Sequence, residues 1–363
     1  MYVKQLQLSR FRNYENLNIE FGNNVNVLVG DNAQGKTNIL ESIYYCSLGK
    51  SHRTSRDKEL IKWNGKDAYI SLFVCKQRLN KKIDIKIFKE GKKGVNVNSI
   101  KISKISDLIG IFNVVMFSPE DLNIIKGSPS SRRKFLDIEL CKLNKRYYYN
   151  LAQYKKVLSE RNAFLKRIRK ANDMLEVYDL QLSKFGALII QERVKYINML
   201  NREGNIIHNN ITSQKENIKF DYMSSVKNLN NIEEALFYLI KSHRKTDIEK
   251  NNTSIGPHRD DFSVRINGVD ARNYGSQGQQ RTSVLTIKFA SLHIVKELTG
   301  EFPVLLLDDV LSELDTRRQK YILNSIKNVQ TIITCSGMNN IEKYLDKNAI
   351  VYEVNGGNIN KIM

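Results

Sequence analysis

The sequence predicts an α/β fold interrupted by a mainly helical insertion, and three observations carry that prediction. A run of alternating apolar residues ends in GDNAQGKT (Gly30 to Thr37), which fits G-x-x-x-x-G-K-[ST] and opens a stretch with helical spacing. About 270 residues downstream, Val304 to Leu307 form a wholly apolar run that ends in two carboxylates, Asp308 and Asp309. Between these segments the hydrophobic period changes from two to about 3.6, the change expected when strands give way to helices.

The elements follow in order. Leu6 and Leu8, then Leu17, Ile19 and Phe21, then Val25, Val27 and Val29 alternate with polar residues and predict strands. After Lys36 and Thr37, Ile39, Leu40, Ile43 and Tyr44 keep helical spacing. Residues 68–117 return to strand character in AYISLFV, KIDIKIF and FNVVMF. From about residue 131, Leu140, Leu143, Tyr147, Leu151, Tyr154, Leu158, Leu165 and Ile168 mark one face of a single long amphipathic helix. KANDM breaks it. Leu175, Tyr178, Leu182, Phe185, Ile189, Tyr196 and Leu200 mark a second, so the two form an antiparallel hairpin with arms of about 35 residues, roughly 50 Å at 1.5 Å rise. Polar, Asn-rich sequence follows, with one further helix near 232–246. FSVRINGVDAR (262–272) predicts a β-hairpin turned by Asn267-Gly268. The remainder alternates helix and strand. Pro119 and Pro257 roughly bracket the helical segment, which places the insertion at 118–254 and one α/β domain in 1–117 and 255–363.

With 363 residues, 41% hydrophobic and 26% charged, the chain has the composition of a globular protein large enough for two domains. Apolar runs such as VLLL are far too short to span a bilayer, and MYVKQLQLSRFRN carries no apolar signal core, so a cytoplasmic location without membrane is expected. The four scattered cysteines form no CxxC or Cys/His cluster and are expected as reduced thiols. The net charge of +20 attracts polyanions, nucleic acid first. An abundance of Lys, Asn and Ile throughout the chain leaves compositional bias as the alternative source of that charge.

Three motifs carry chemistry. In the loop Gly30, Asp31, Asn32, Ala33, Gln34, Gly35, backbone N–H groups at a helix N-terminus suit phosphate oxygens, Lys36 suits the β- and γ-phosphates, and the Thr37 hydroxyl suits Mg2+. Asp308 stands at the C-terminal end of a buried strand, where α/β sheets place ligands, and is expected to hold Mg2+ with Thr37; Asp309 is expected to polarise the attacking water. The third motif is Ser276, Gln277, Gly278, Gln279 (S-x-G-Q), whose hydroxyl and glycine N–H at a helix start suit an anion.

This set resembles the ABC-type ATPase heads. Ser312, Glu313 and Asp315 match that family's D-loop. In such heads the serine-glycine signature of one subunit closes on the γ-phosphate held by another, so the resemblance implies an ATP- and Mg2+-dependent homodimer. Catalysis would fall to Lys36, Asp308 and Asp309. Within that class the chain is similar, essentially end to end, to the RecF family of bacterial DNA repair proteins. Seven blocks in one order carry the likeness: LSRFRNYEN (8–16), GDNAQGKTNILESIYY (30–45), SHRTSRDKELI (51–61), FSPEDLNIIKGSPSSRRKFLD (117–137), GPHRDDF (256–262), SQGQQR (276–281) and LLLDDVLSELD (305–315). That likeness implies DNA binding at single-/double-strand junctions, weak DNA-stimulated ATP hydrolysis, partnership with RecR and RecO in loading RecA at gaps, and influence on the SOS response.

The chain departs from the ABC pattern in three places. Asp309 replaces the usual Glu, the signature reads S-Q-G-Q, and QTIITCSG (330–337) offers Thr334 and Ser336 where a switch histidine is expected. These bear on turnover, not on ATP binding. Candidate phosphate-contacting residues are Arg132, Arg133 and Lys134 at the base of the arm and Lys145, Arg146, Lys166, Arg167, Arg169 and Lys170 along it, with Tyr147 expected in the core. Arg53 and Arg56 are candidates for nucleotide or dimer contacts. Competing functions are an SMC-like or nuclease-associated head, which would need a long coiled coil; a transporter nucleotide-binding subunit, which would carry the histidine; and a scaffold that binds ATP without hydrolysing it.

Overall fold

The computed structural model describes residues 1–168, 173–227, 229–311, 314–337 and 348–363. They form two compact units, Met1–Asp121 with Ser291–Met363, and Leu122–Ala290.

In the first unit, β1 (Tyr2–Phe11) and β2 (Tyr14–Glu20) make a hairpin, followed by β3 (Val25–Val29) and α1 (Lys36–Leu48). Then come β4 (Asp67–Cys75), β5 (Lys81–Phe88), β6 (Lys93–Val97), β7 (Ile100–Ile102), the short α2 (Ile105–Leu108) and β8 (Val114–Phe117). Six of these strands form an antiparallel sheet in the order β2-β1-β4-β5-β6-β7. Their alternation puts Leu6, Leu8, Ile70, Leu72, Ile83 and Ile85 on one buried face, as the period-two pattern requires.

The second unit begins with α3 (Asn123–Lys126), α4 (Pro129–Leu143), α5 (Lys145–Leu165) and α6 (Asp173–Thr212). The expected single helix from 131 is divided at Asn144. That residue is extended, and its side chain accepts hydrogen bonds from the N–H groups of Arg146 and Tyr147, so it caps a new helix. The apolar stripe keeps its phase across the break, which is why periodicity alone reads one helix. The arms are unequal: 21 residues in α5 and 40 in α6, about 32 and 60 Å at 1.5 Å rise. Val157 is buried in α5 where the stripe predicts Leu158.

The unit continues with β9 (Ile218–Met223), α7 (Ile232–Ser242), α8 (Arg244–Lys250), β10 (Asp261–Ile266), β11 (Val269–Asp270), α9 (Ala271–Tyr274) and the start of α10 (Gln277–Thr299). Asn267 and Gly268, at φ 50° and 83°, turn the predicted hairpin. The Asn-rich stretch hides β9, which pairs with all six residues of β10. That pairing, and the packing of β10 on α4, carry this unit to Ala290, past the expected limit at 254.

Its interior is charged. Arg161 is fully buried and bonds Asp179, Asp247 and the Thr253 hydroxyl, each at 2.8 Å. Arg193 bonds Asp137 at 2.8 Å, the Pro257 carbonyl at 2.6 Å and the Tyr147 hydroxyl at 3.1 Å. Arg193 thus ties α6 to α4, α5 and the GPHRDDF segment.

The first unit is completed by β12 (Val304–Asp308), α11 (Thr316–Ser325), β13 (Thr331–Cys335), β14 (Ile350–Asn355) and β15 (Asn358–Lys361). Its second sheet has the order β15-β14-β3-β13-β12-β8, parallel except for the β14–β15 hairpin. Ten of the thirteen residues of α1 are buried, because both sheets contribute to the core around it.

Candidate functional site

The parallel sheet sets the site. β3, β13 and β12 are neighbours, and their C-terminal ends carry the phosphate loop, Thr334 and Asp308. Asp308 and Thr334 are direct cross-strand partners. Residues 271 positions apart thereby meet: the Thr37 hydroxyl donates to Asp308 Oδ1 at 2.8 Å. The Thr334 hydroxyl donates to the same oxygen at 2.9 Å and accepts from the Asp309 N–H at 2.9 Å. Asp309 sits at φ 51°, in the left-handed region.

The loop itself is held from outside. A Cβ on Gly30 would lie 2.2 Å from the Val354 carbonyl oxygen, and one on Gly35 (φ 117°) would meet Asn13 Nδ2 at 2.6 Å and the Tyr14 hydroxyl at 2.7 Å. Only glycine fits either position. Asn13 Nδ2 donates to the Gln34 carbonyl at 3.0 Å, the Gly356 N–H donates to Gln34 Oε1 at 2.6 Å, and Asn38 Nδ2 donates to Asn13 Oδ1 at 2.8 Å. Lys36 is buried, and its ammonium lies against the carbonyls of Gly30 (2.5 Å) and Asp31 (2.7 Å). A cation folded over its own loop carbonyls, with helix N–H groups behind it, is a donor set that fits a polyphosphate. The paired hydroxyl and carboxylate of Thr37 and Asp308 are hard oxygen ligands that fit Mg2+.

Behind α1 lies an ion-pair cluster. Glu41 is fully buried and takes the Arg12 guanidinium at 2.7 and 2.8 Å, the Ser51 hydroxyl at 2.5 Å and Arg53 at 3.4 Å. Burial by itself would raise its pKa; the Arg12 and Ser51 hydrogen bonds and the two guanidinium charges outweigh that and leave it below the ordinary carboxylate value. Arg53 also donates to Asn38 Oδ1 at 2.9 Å. The stretch 51–61 therefore braces the first turns of α1.

The remaining expected residues distribute as follows. Ser276 is exposed, and with Gln279 it makes a reciprocal cap at the start of α10: the Gln279 N–H donates to Ser276 Oγ at 3.2 Å, and the Ser276 N–H donates to Gln279 Oε1 at 2.9 Å. Asp315 caps α11, accepting from the Arg318 N–H at 3.0 Å, while Ser312 and Glu313 lie outside the described residues. Of the basic candidates, Arg132 is buried and spends its guanidinium on Asp261 (2.7 and 2.8 Å) and the Gly127 carbonyl (3.0 Å). Its position is that of a fold-holding ion pair. Arg133 is half-buried and donates to the Asp260 carbonyl at 2.8 Å. Lys134, Lys145, Arg146, Lys166 and Arg167 are exposed. Arg169 and Lys170 lie outside the described residues. Tyr147 is buried, its hydroxyl donating to Asp137 at 2.6 Å.

Residues 2–360 match the family model described as the RecF/RecN/SMC N terminal domain. The DNA replication and repair protein RecF of Clostridium novyi (strain NT) is 64% identical over 361 residues, covering 99% of this chain and 100% of that protein. The chain belongs to the RecF family. A solved structure described as the recombination mediator protein RecF-ATP in the RecFOR pathway is 38% identical, with a TM-score of 0.92 over 100% of this chain and 98% of that one. An Smc head bound to the C-winged helix domain of ScpA shares only 16% identity, with a TM-score of 0.60. That likeness speaks for the fold, which is the α/β fold of the ABC-type ATPase heads.

Three parts of the site escape a reading of the sequence. Asn13 lies in a block that resembles RecF, but nothing about an isolated Asn signals a loop brace 21 residues away. Gly356 reads only as part of a Gly-Gly turn. Thr334 stands in the place of a histidine, and its two-sided hydrogen bonding is visible only once β12 and β13 are paired.

Proposed function

We propose that this RecF-family protein is an ATP-gated, DNA-binding protein of recombinational repair. Two copies close on ATP and Mg2+, clasp DNA at single-/double-strand junctions of gaps, and open after slow, DNA-stimulated hydrolysis. RecR and RecO are the expected partners in loading RecA there, which connects the protein to DNA replication and the SOS response, in the cytoplasm. The observation that carries the reading is the Thr37–Asp308 hydrogen bond, which brings together, from the two ends of the chain, the two side chains expected to hold Mg2+. Support comes from the 64% identity to a DNA replication and repair protein and from neighbours described with ATP and ATPrS bound. Among the described residues no helix is long and apolar enough to cross a membrane.

The chemistry divides by residue. Loop N–H groups and Lys36 bind and orient the β- and γ-phosphates. Thr37 and Asp308 would hold Mg2+, which when bound neutralises phosphate charge. Asp309 accepts a hydrogen bond from the attacking water, and the exposed Ser276 hydroxyl and the Gly278 N–H meet the γ-phosphate of a second copy. Exposed Lys134, Lys145, Arg146, Lys166 and Arg167 supply sequence-independent phosphate contacts.

The test is DNA retention and light scattering with ATP, ADP and no nucleotide, for wild type and Lys36→Ala. Wild-type retention and ATP-dependent dimerisation by the variant would remove ATP from the cycle. One observation favours a second reading, a scaffold that binds ATP without turning it over: the end of β13 presents Thr334, whose hydroxyl is already engaged by Asp308 and Asp309. Phosphate release with and without duplex DNA separates the two.

A further inference from the structure

We infer that Glu216 is a positioning residue for the signature segment, fixing which way the Gln279 amide faces and so which atom of Ser276 remains available to a phosphate. The inference rests on the proposed reading of Ser276 to Gln279.

A primary amide has one accepting and one donating end, and the two can exchange by a half-turn. In the capped start of α10, Gln279 must point its oxygen at the Ser276 N–H, at 2.9 Å. Its amino end then needs an acceptor, and Glu216 Oε1 supplies one at 2.9 Å. A carboxylate can only accept. The flipped amide would set its NH2 against the Ser276 N–H and its oxygen against the Glu216 carboxylate, so both contacts would be repulsive. Glu216, which lies 63 residues earlier in the chain, therefore locks from the amino end the orientation that the Ser276 N–H selects at the oxygen end.

Glu216 lies against the end of α6. Its second oxygen is 3.4 Å from Nε2 of His208, a fully buried residue near the end of α6. Nδ1 of that ring lies 2.9 Å from the Thr286 hydroxyl oxygen, two turns into α10. Thr286 spends its own hydrogen on the Thr282 carbonyl at 2.9 Å, so its oxygen accepts from His208. The Gln279–Glu216 and His208–Thr286 hydrogen bonds fasten the first turns of α10 to the end of α6 and the residues just after it.

The consequence falls on Ser276. With a lone pair of Oγ taken by the Gln279 N–H, the hydroxyl hydrogen has no acceptor among the described residues, and the side chain is exposed. It is held to donate outward, which is what an anionic phosphate from a second copy requires. If the amide were free to flip, the cap would loosen and the hydroxyl would lose its fixed direction.

The experiment compares Glu216→Gln, Glu216→Ala, Glu216→Lys and Ser276→Ala for ATP-dependent self-association by light scattering. Affinity for a fluorescent ATP analogue and melting temperature are measured on the same samples. Gln can still present an accepting oxygen, Ala removes the lock, and Lys, a pure donor, favours the wrong orientation. The expected association ranks wild type, Gln, Ala, Lys, with a loss of about ten- to a hundredfold for Lys, the range for losing a charge-assisted hydrogen bond. Affinity for the analogue should change less than about threefold, because the phosphate loop is untouched. Equal association by the Gln and Ala variants, or wild-type association by the Lys variant, would overturn the assignment while leaving the signature reading in place. Wild-type association by Ser276→Ala would remove both.

Discussion

Replacing Thr334 with Val tests the junction between the two halves of the site. Val keeps the shape and suits a central strand, and the residue is buried, so the change deletes one hydroxyl and little else. Two hydrogen bonds disappear. The donation to Asp308 is a bond to a carboxylate, worth about 1.5–3 kcal/mol, and the bond accepted from the Asp309 N–H is worth about 0.5–1.5 kcal/mol. The added methyl returns about 0.8 kcal/mol. The net cost is about 1–4 kcal/mol, against a typical total of about 5–15 kcal/mol. Urea unfolding should show that loss, and Thr334→Ser should recover most of it. The catalytic effect should exceed the binding effect: ATP affinity stays within about threefold, because Lys36 and the loop are intact, while phosphate release falls about tenfold or more as Asp308 and Asp309 lose their common brace, tenfold being only about 1.4 kcal/mol in barrier. A Val variant as stable as wild type with an unchanged release rate would refute the bridging role.

Other outcomes follow from the same geometry. Arg161→Leu leaves Asp247 in the interior with no cation and Asp179 with Arg244 alone, and should cost about 3–5 kcal/mol in urea unfolding, the range for breaking a buried ion pair from one side. Lys166→Ala with Arg167→Ala should leave the melting temperature unchanged and lower the slope of log affinity for DNA against log salt by about 1.8, at about 0.9 for each duplex phosphate no longer neutralised. Arg132→Ala should instead lower the melting temperature, since its guanidinium is spent on Asp261. His258, pushed down to about 4 chiefly by burial, accepts from or donates to the Tyr154 hydroxyl at 2.7 Å and bonds the Thr253 carbonyl at 3.0 Å. The unfolded chain binds this proton at a pH where the folded one does not, so stability should fall as pH drops from about 6.5 to about 4, by about 2–3 kcal/mol. Unfolding titrations across that window should show a shallower slope for His258→Gln.

Much of this can be read in order along the chain, because the signals are local. Alternation marks β1 to β3, the glycine spacing marks the loop before α1, and an apolar run ending in Asp308 marks a buried strand. Where local signals are weak or two-valued, sequence alone misleads. Asn144 stops one helix and starts another without disturbing the apolar stripe, so the break leaves no mark in the periodicity. β9 is only six residues long and set in Asn-rich sequence, so its alternation of Ile218, Phe220 and Tyr222 is easily passed over; β10 supplies its full set of hydrogen-bonding partners. Arg132 reads as a surface cation, since nothing in SSRRKF announces Asp261, 129 residues away.

By itself, then, the sequence determined most of the element types, the glycine loop between β3 and α1 and the two carboxylates at the end of β12, all of which depend on neighbours within a turn or a strand. Tertiary structure alone decided which further distant groups meet: Thr334 with Asp308, Asn13 with Gln34, Glu216 with Gln279, Arg161 with two aspartates. The physical reason is that a hydrogen bond or ion pair is specified by position to within a few tenths of an ångström. Position across hundreds of residues is set by sheet order and helix packing, not by spacing along the chain.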